Sequence, residues 1–195
     1  MIKPFEFYFD FVSPYSFLAH KEIRKIELKE RIKIKYNPVL LGGLHNLHGI
    51  KAPAFIPAKA RHMIKDCKLI AERNNVRFKF NSYFPIKSLN LMRGVLVAEE
   101  DNIKNYYIDS IFNTIWQDGL NMNDDIVIQK VLKNLNINPK TFALRVTSSF
   151  IKDSLRKKTN EAYEKGIFGA PTFIVNNKIF WGQDRIEFAL KEASK

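Results

Sequence analysis

Phe5-Glu6-Phe7-Tyr8-Phe9-Asp10-Phe11-Val12-Ser13-Pro14-Tyr15-Ser16-Phe17-Leu18 is the stretch on which the fold turns. Phe5, Phe7 and Phe9 alternate with Glu6, Tyr8 and Asp10, a period of two in residues that favour strands. A helix start follows. Ser13 suits the N-cap and Pro14 the first helical position, where its missing N–H costs nothing. Phe17, Leu18, Ile23 and Ile26 then form an apolar helical face. Beyond Lys29-Glu30-Arg31, Ile32, Ile34 and Tyr36 alternate with Lys33, Lys35 and Asn37, which predicts a second strand. Strand, helix and strand on short links make a βαβ unit, so the two strands should be parallel and joined by a right-handed crossover.

Outward from there the pattern changes. From about Gly42 to about Gly166 the periodicity is helical. Pro57 opens a helix with Ala60, Met63, Ile64, Cys67, Ile70 and Ala71 on one face, which makes Cys67 a core residue rather than a nucleophile. Further helices are expected over 87–100, 102–117, 124–134 and 149–165, with a short one starting at Asn138-Pro139. Strands return at the end. Thr172-Phe173-Ile174-Val175 and Lys178-Ile179-Phe180-Trp181 flank Asn176-Asn177, a hairpin whose turn residues tolerate positive φ. Asp184 and Glu187 have the spacing of a capping box for a last helix through Leu190.

Composition bounds the function. The 195 residues suit one compact domain, or a domain carrying a large insertion, and 16 phenylalanines supply a bulky core. No segment approaches the roughly 20 apolar residues of a membrane span. The start, MIKPFEFYFD, is charged and alternating, unlike a signal peptide. Cys67 is the sole cysteine, so no internal disulfide forms. A cytoplasmic location is the corresponding expectation. The net charge of +12 is spread along the chain, with Arg156-Lys157-Lys158 its densest spot. That distribution argues against nucleic acid as a partner and allows anionic small molecules. His20, His45, His48 and His62 form no metal-ligand spacing, and His45 and His48 fall on an expected glycine-flanked loop.

The order βαβ, helical block, αββα is that of the thioredoxin fold with a helical insertion: an α/β architecture with residues 1–41 and 150–195 as the thioredoxin-like part and 42–149 inserted. In that fold the working residues stand at the N-terminus of the first helix, where the dipole and free N–H groups favour a thiolate. Redox members carry Cys-x-x-Cys there. Here the tetrapeptide is Ser13-Pro14-Tyr15-Ser16, and serine does not cycle through disulfides. Gly169-Ala170-Pro171-Thr172 stands where the fold places its cis-proline. A cis bond would turn the backbone of Ala170 toward the helix start, ready to pair with an extended ligand.

The segments FDFVSPYSFLA (9–19), PAKARHM (57–63) and GIFGAPTFIVNNKIFWGQDRIEF (166–188) resemble those of 2-hydroxychromene-2-carboxylate isomerases. These belong with the kappa-class glutathione transferases in the DsbA-like branch of the thioredoxin fold. The resemblance implies glutathione as cofactor and Ser13 as the residue that meets its sulfur. It assigns Pro14 and Tyr15 to the same helix start, and Ala170 with Pro171 to the cysteinyl backbone of glutathione. Gln183 and Asp184, after Gly182, would hold the γ-glutamyl end. Lys59 would meet a carboxylate, and Trp181 would wall the site. A small aromatic or anionic substrate follows, and a homodimer, since many relatives are dimers. Asn46, Ile50 and Lys87 depart from the residues that relatives carry on the substrate side.

Overall fold

The structure is a computed structural model that describes residues 5–30 and 32–195; residues 1–4 and Arg31, which belong to the charged start and to the link before the second strand, lie outside them. The opening alternation forms β1 (Phe5–Phe9), Ser13-Pro14 opens α1 (Pro14–Glu30), and β2 (Ile34–Pro38) follows. β2 begins two residues later than its alternation suggests, although Ile32 is buried. Then come α2 (Leu41–Leu47), a 3-10 turn (Pro53–Phe55), α3 (Pro57–Arg73), α4 (Leu89–Glu100), α5 (Lys104–Trp116), α6 (Asp125–Asn134), α7 (Pro139–Val146) and α8 (Ser149–Glu164). β3 (Thr172–Val175), β4 (Lys178–Trp181), a second 3-10 turn (Gln183–Arg185) and α9 (Ile186–Ala193) complete the described chain.

The sheet order is β2-β1-β3-β4. β1 and β2 are parallel, with Phe7 opposite Tyr36, and β3 runs antiparallel to β1, with Phe7 opposite Phe173. The hairpin turn is as expected: Asn176 and Asn177 both have positive φ, the geometry that matches the twist of the two strands.

Both faces of β1 are covered. On one face Phe7 stacks on Phe9 and Phe173, each at 5.4 Å between ring centroids, and meets the edge of Tyr36 at 5.6 Å. This core continues through Phe112, on α5, to Trp116. Each such ring contributes roughly 1.5–3 kcal/mol by leaving water. On the other face Tyr8 packs with Val39, Leu44, Ala162 and Ile167, beneath α2 and α8.

Two expectations are corrected. His45 and His48 do not sit on a loop: His45 is in the last turn of α2 and His48 caps that helix, its Nε2 3.0 Å from the Ile167 carbonyl oxygen. Asp184 and Glu187 form no capping box. Gly182, at φ +115°, turns the chain into the 3-10 turn, and α9 begins only at Ile186 without a side-chain cap. A second cis-proline, Phe84-Pro85, had no sequence signal.

Candidate functional site

The site grows from the short link between β1 and α1, which the rest of the molecule grips. Asp10 is fully buried, and its carboxylate accepts the N–H groups of Val12 at 3.0 Å and Leu41 at 2.8 Å. Burial raises the Asp10 carboxyl above its ordinary range, against the pull of those two amides. From the helical block, the indole N–H of Trp116 donates to the Phe11 carbonyl at 2.9 Å, and the Phe11 N–H points at Met92 Sδ at 3.4 Å. The helix start is therefore held in place by α2, α4 and α5 together.

Ser13 is the pivot. Its backbone N–H donates to the Asp10 carbonyl at 3.1 Å, which sets the turn into α1. Its Oγ accepts the Ser16 N–H at 3.1 Å, which is N-capping as the sequence suggested. The same hydroxyl donates to the Ala170 carbonyl at 3.0 Å. The Ala170-Pro171 bond is cis, so the two halves of the expected site meet at one hydrogen bond. Pro14 has no N–H, and the Tyr15 N–H has no partner among the described residues. It is an orphan donor of the first helical turn, the kind of group that favours an anion. Ser16 is fully buried and its Oγ has no partner among the described residues.

The other named residues fall into two groups. Gly182 donates its N–H to the Pro171 carbonyl at 3.0 Å, which fixes the Gln183–Arg185 turn to the cis-proline loop, and that turn packs beside α1. Asp184 is exposed and pairs with its neighbour Arg185 at 3.3 Å. Trp181 is 53% exposed, which rules out a core role; it lies against Phe168 at 4.9 Å and closely over Gly169. A Cβ at residue 169 would stand 2.6 Å from the indole nitrogen, so glycine there lets the ring approach.

Tyr15 and Lys59 are placed differently. The Tyr15 hydroxyl donates to Asp66 on α3 at 2.8 Å, and burial with that carboxylate pushes its pKa up. The Tyr15 side chain is thus a tether between α1 and α3. Lys59 is exposed in the first turn of α3, about 10 Å of helix from Asp66, with no bond to the other named residues. Cys67 is buried and its thiol is pushed up to about 12, chiefly by burial, so it is protonated and inert.

Sequence reasoning missed two positioning residues. Asp10 read as an outward-facing member of the strand alternation, and an acid immediately before the helix-start loop was the available signal. Trp116 acts on Phe11 across 105 positions of sequence, and nothing local marks it.

A sequence model of the DSBA-like thioredoxin domain matches residues 5–193. The chain is 26% identical over 190 residues to a 2-hydroxychromene-2-carboxylate isomerase of Sphingobium xenophagum, covering 96% of each chain. It is 24% identical over 198 residues to glutathione S-transferase kappa 1 of Rattus norvegicus, covering 93% of this chain and 87% of that one. The solved structure of a 2-hydroxychromene-2-carboxylate isomerase superposes with a TM-score of 0.89 at 23% identity, over 98% of this chain and 94% of that one.

Proposed function

This chain belongs to the family of DSBA-like thioredoxin domains, and we propose that it binds glutathione at the start of α1, ionises its thiol there, and uses the thiolate as an isomerase of the 2-hydroxychromene-2-carboxylate type. The observation that carries this reading is the convergence of the Ser13 hydroxyl, the free Tyr15 N–H and the cis Ala170-Pro171 backbone at one helix start. Two hydroxyls stand where redox relatives keep two thiols, and the sole cysteine is buried elsewhere. A borrowed thiol is what such a site lacks and is built to stabilise. Similarity to both an isomerase and a glutathione S-transferase supports it.

We assign the binding roles by the resemblance to the isomerases and transferases. Ala170 pairs through its backbone with the cysteinyl unit, beside Pro171. Gln183 and Asp184 hold the γ-glutamyl end, Asp184 exchanging Arg185 for the ligand ammonium. Lys59 meets the glycine carboxylate or an acidic substrate, and Trp181 walls the opening. The Ser13 proton swings from the Ala170 carbonyl to the ligand sulfur.

The magnitudes are adequate. A thiol of pKa about 8.5 needs about 2.7 kcal/mol to fall by about two units. A helix N-terminus gives up to about 2 kcal/mol. A hydrogen bond to a charged sulfur adds about 1.5–3 kcal/mol, less about 1 for the bond Ser13 gives up. No general base is required. The thiolate then adds to a conjugated carbon of the ring-opened substrate, and the electron pair moves onto the conjugated carbonyl. The former double bond rotates. Return of the pair expels the thiolate and leaves the trans alkene, with glutathione unchanged.

The similarity to kappa-class transferases favours a second outcome, in which the sulfur stays on a hydrophobic electrophile. The test is stoichiometric. With substoichiometric glutathione, the isomerase reading expects conversion of a 2-hydroxychromene-2-carboxylate to equilibrium, in excess of the glutathione present, with full recovery of free thiol. Loss of one thiol per product identifies conjugation. Absence of both reactions with bound glutathione overturns catalysis and leaves a thiol-binding module.

A further inference from the structure

An open cleft of about 550 Å³ lies between α2, α4 and α8, a size that takes a small organic molecule. No residue that lines it belongs to the helix start, so the two places share no side chain. Gly43 is on its wall, where a Cβ would lie 3.3 Å from Thr159 Cγ2, so α2 and α8 meet at close range. Leu40, Leu47, Leu89 and Leu155 supply apolar surface.

The charge in this cleft is unbalanced. Arg93, Lys152 and Arg156 line it against one carboxylate, Asp153, which leaves two positive charges over. Asp153 is already taken by Arg156 at 2.9 Å, and Glu161, farther along α8, pairs with Lys157 at 3.9 Å. Lys152 has no acidic partner among the described residues. Arg93 gives one N–H to Asn90 at 3.1 Å, while its Nε is buried with no partner among the described residues. A guanidinium N–H that has left water costs free energy until an acceptor reaches it. The side-chain amides of Asn46, on α2, and Asn160, on α8, also have no partner among the described residues.

This donor set selects a ligand class. Two surplus cations match a dianion better than a monoanion. Donors on three separate helices suit an acceptor with more than the two coplanar oxygens of a carboxylate. A phosphate monoester carries about −1.5 to −2 charge near pH 7 and three strong acceptor oxygens. Arginine meets phosphate with its two-pronged fork and lysine as a point charge. We propose that this cleft is a second ligand site, independent of the thiol chemistry, that binds a small phosphate monoester. Arg93, Lys152 and the two amides hold the phosphate, and the leucines seat its organic body.

The probe is 1-naphthyl phosphate, titrated without glutathione and followed by calorimetry and by amide shifts. Shifts confined to α2, α4 and α8 are expected. 1-Naphthalenesulfonate has the same ring and three oxygens but one charge, and inorganic phosphate lacks the ring; each should bind about tenfold or more weaker. Arg93→Met should weaken the monoester by about tenfold or more, Arg93→Lys by less, and Lys130→Met on α6 not at all. Thermal unfolding of each variant establishes that it is folded. Should Arg93→Met fail to fold, Lys152→Met, at an exposed position, carries the same test with a weakening of about fivefold or more. No binding of the monoester at millimolar concentration, shifts elsewhere, equal binding of the sulfonate or of inorganic phosphate, or an unaffected folded variant at Arg93 or Lys152 would each overturn the assignment. Because glutathione is absent and no lining residue serves the helix start, failure here is distinct from failure of the Ser13 reading.

Discussion

Ser13→Ala separates two jobs that one hydroxyl holds at once. In the unliganded protein Ser13 Oγ accepts the Ser16 N–H and donates to the Ala170 carbonyl. Losing the cap costs about 1 kcal/mol, and losing the donor to a buried carbonyl costs about another 1. For a chain of this size about 2 kcal/mol corresponds to a Tm lower by roughly 4–8 °C. On the proposed function, glutathione binding exchanges the carbonyl partner of the wild-type hydroxyl for a charged sulfur. That exchange is worth about 0.5–2 kcal/mol net, from about 1.5–3 for the charged bond less about 1 for the neutral one. At 1.36 kcal/mol per unit, the variant should raise the bound thiol's pKa by about 0.4–1.5 units. The assay is thiolate absorbance near about 240 nm against pH, at saturating glutathione. Ser16→Ala is the control: its Oγ has no partner, so its loss should leave the thiol where it was. A Ser13→Ala protein that melts lower but keeps the wild-type thiol pKa would reduce Ser13 to a helix cap and refute the reasoning.

Three further outcomes are expected. Burial, aided by the neighbouring charges of Arg24 and Lys21, holds the imidazole of His20 below its ordinary pKa and outweighs the opposing pull of Asp109. Its Nε2 lies 2.6 Å from Asp109 while its Nδ1 has no partner among the described residues, which fits a neutral ring. The unfolded chain therefore takes up a proton below pH about 6.5 that the folded chain refuses, so stability falls as pH drops through that range, by up to about 1.4 kcal/mol per pH unit. His20→Gln should flatten this slope in urea unfolding at pH 7 and 5, and parallel profiles for both proteins would contradict it. Gly94→Ala should destabilise by about 1–3 kcal/mol, because the new Cβ meets the Tyr107 hydroxyl and the Phe142 ring where α4 packs on α5 and α7; an unchanged urea midpoint would show that the core yields freely. Cys67 should resist iodoacetamide in the native protein at pH 8 and react fully in denaturant, and rapid native alkylation would contradict its burial and raised pKa.

What was legible in the sequence is what local periodicity and turn chemistry control. β1, the start of α1, α3 from Pro57 and the Asn176-Asn177 hairpin stand where alternation, proline and asparagine place them. The bond between Ser13 and Ala170 spans 157 positions. It was foreseeable only because the order of elements brings the first helix and the cis-proline loop to one end of the sheet. α2 was hidden because Leu41-Gly42-Gly43-Leu44 is a poor helix by propensity. It forms because Asp10 accepts the Leu41 N–H and Gly43 allows close approach to α8, both tertiary effects. Asp184 carried the right spacing for a cap but follows Gly182, whose positive φ commits the chain to a 3-10 turn first. Asp10 and Trp116 take their meaning from partners distant in sequence, so no local pattern announces them.

The central claim is that the start of α1 ionises a thiol the protein does not itself supply. The most direct measurement is a calorimetric titration of the wild-type chain with glutathione, repeated across pH with thiolate absorbance as a second readout. Saturable binding at millimolar glutathione or below is expected, with a bound thiol pKa about two units under the free value of about 8.5. Absence of binding at millimolar glutathione, or binding that leaves the thiol at its free pKa, would contradict it.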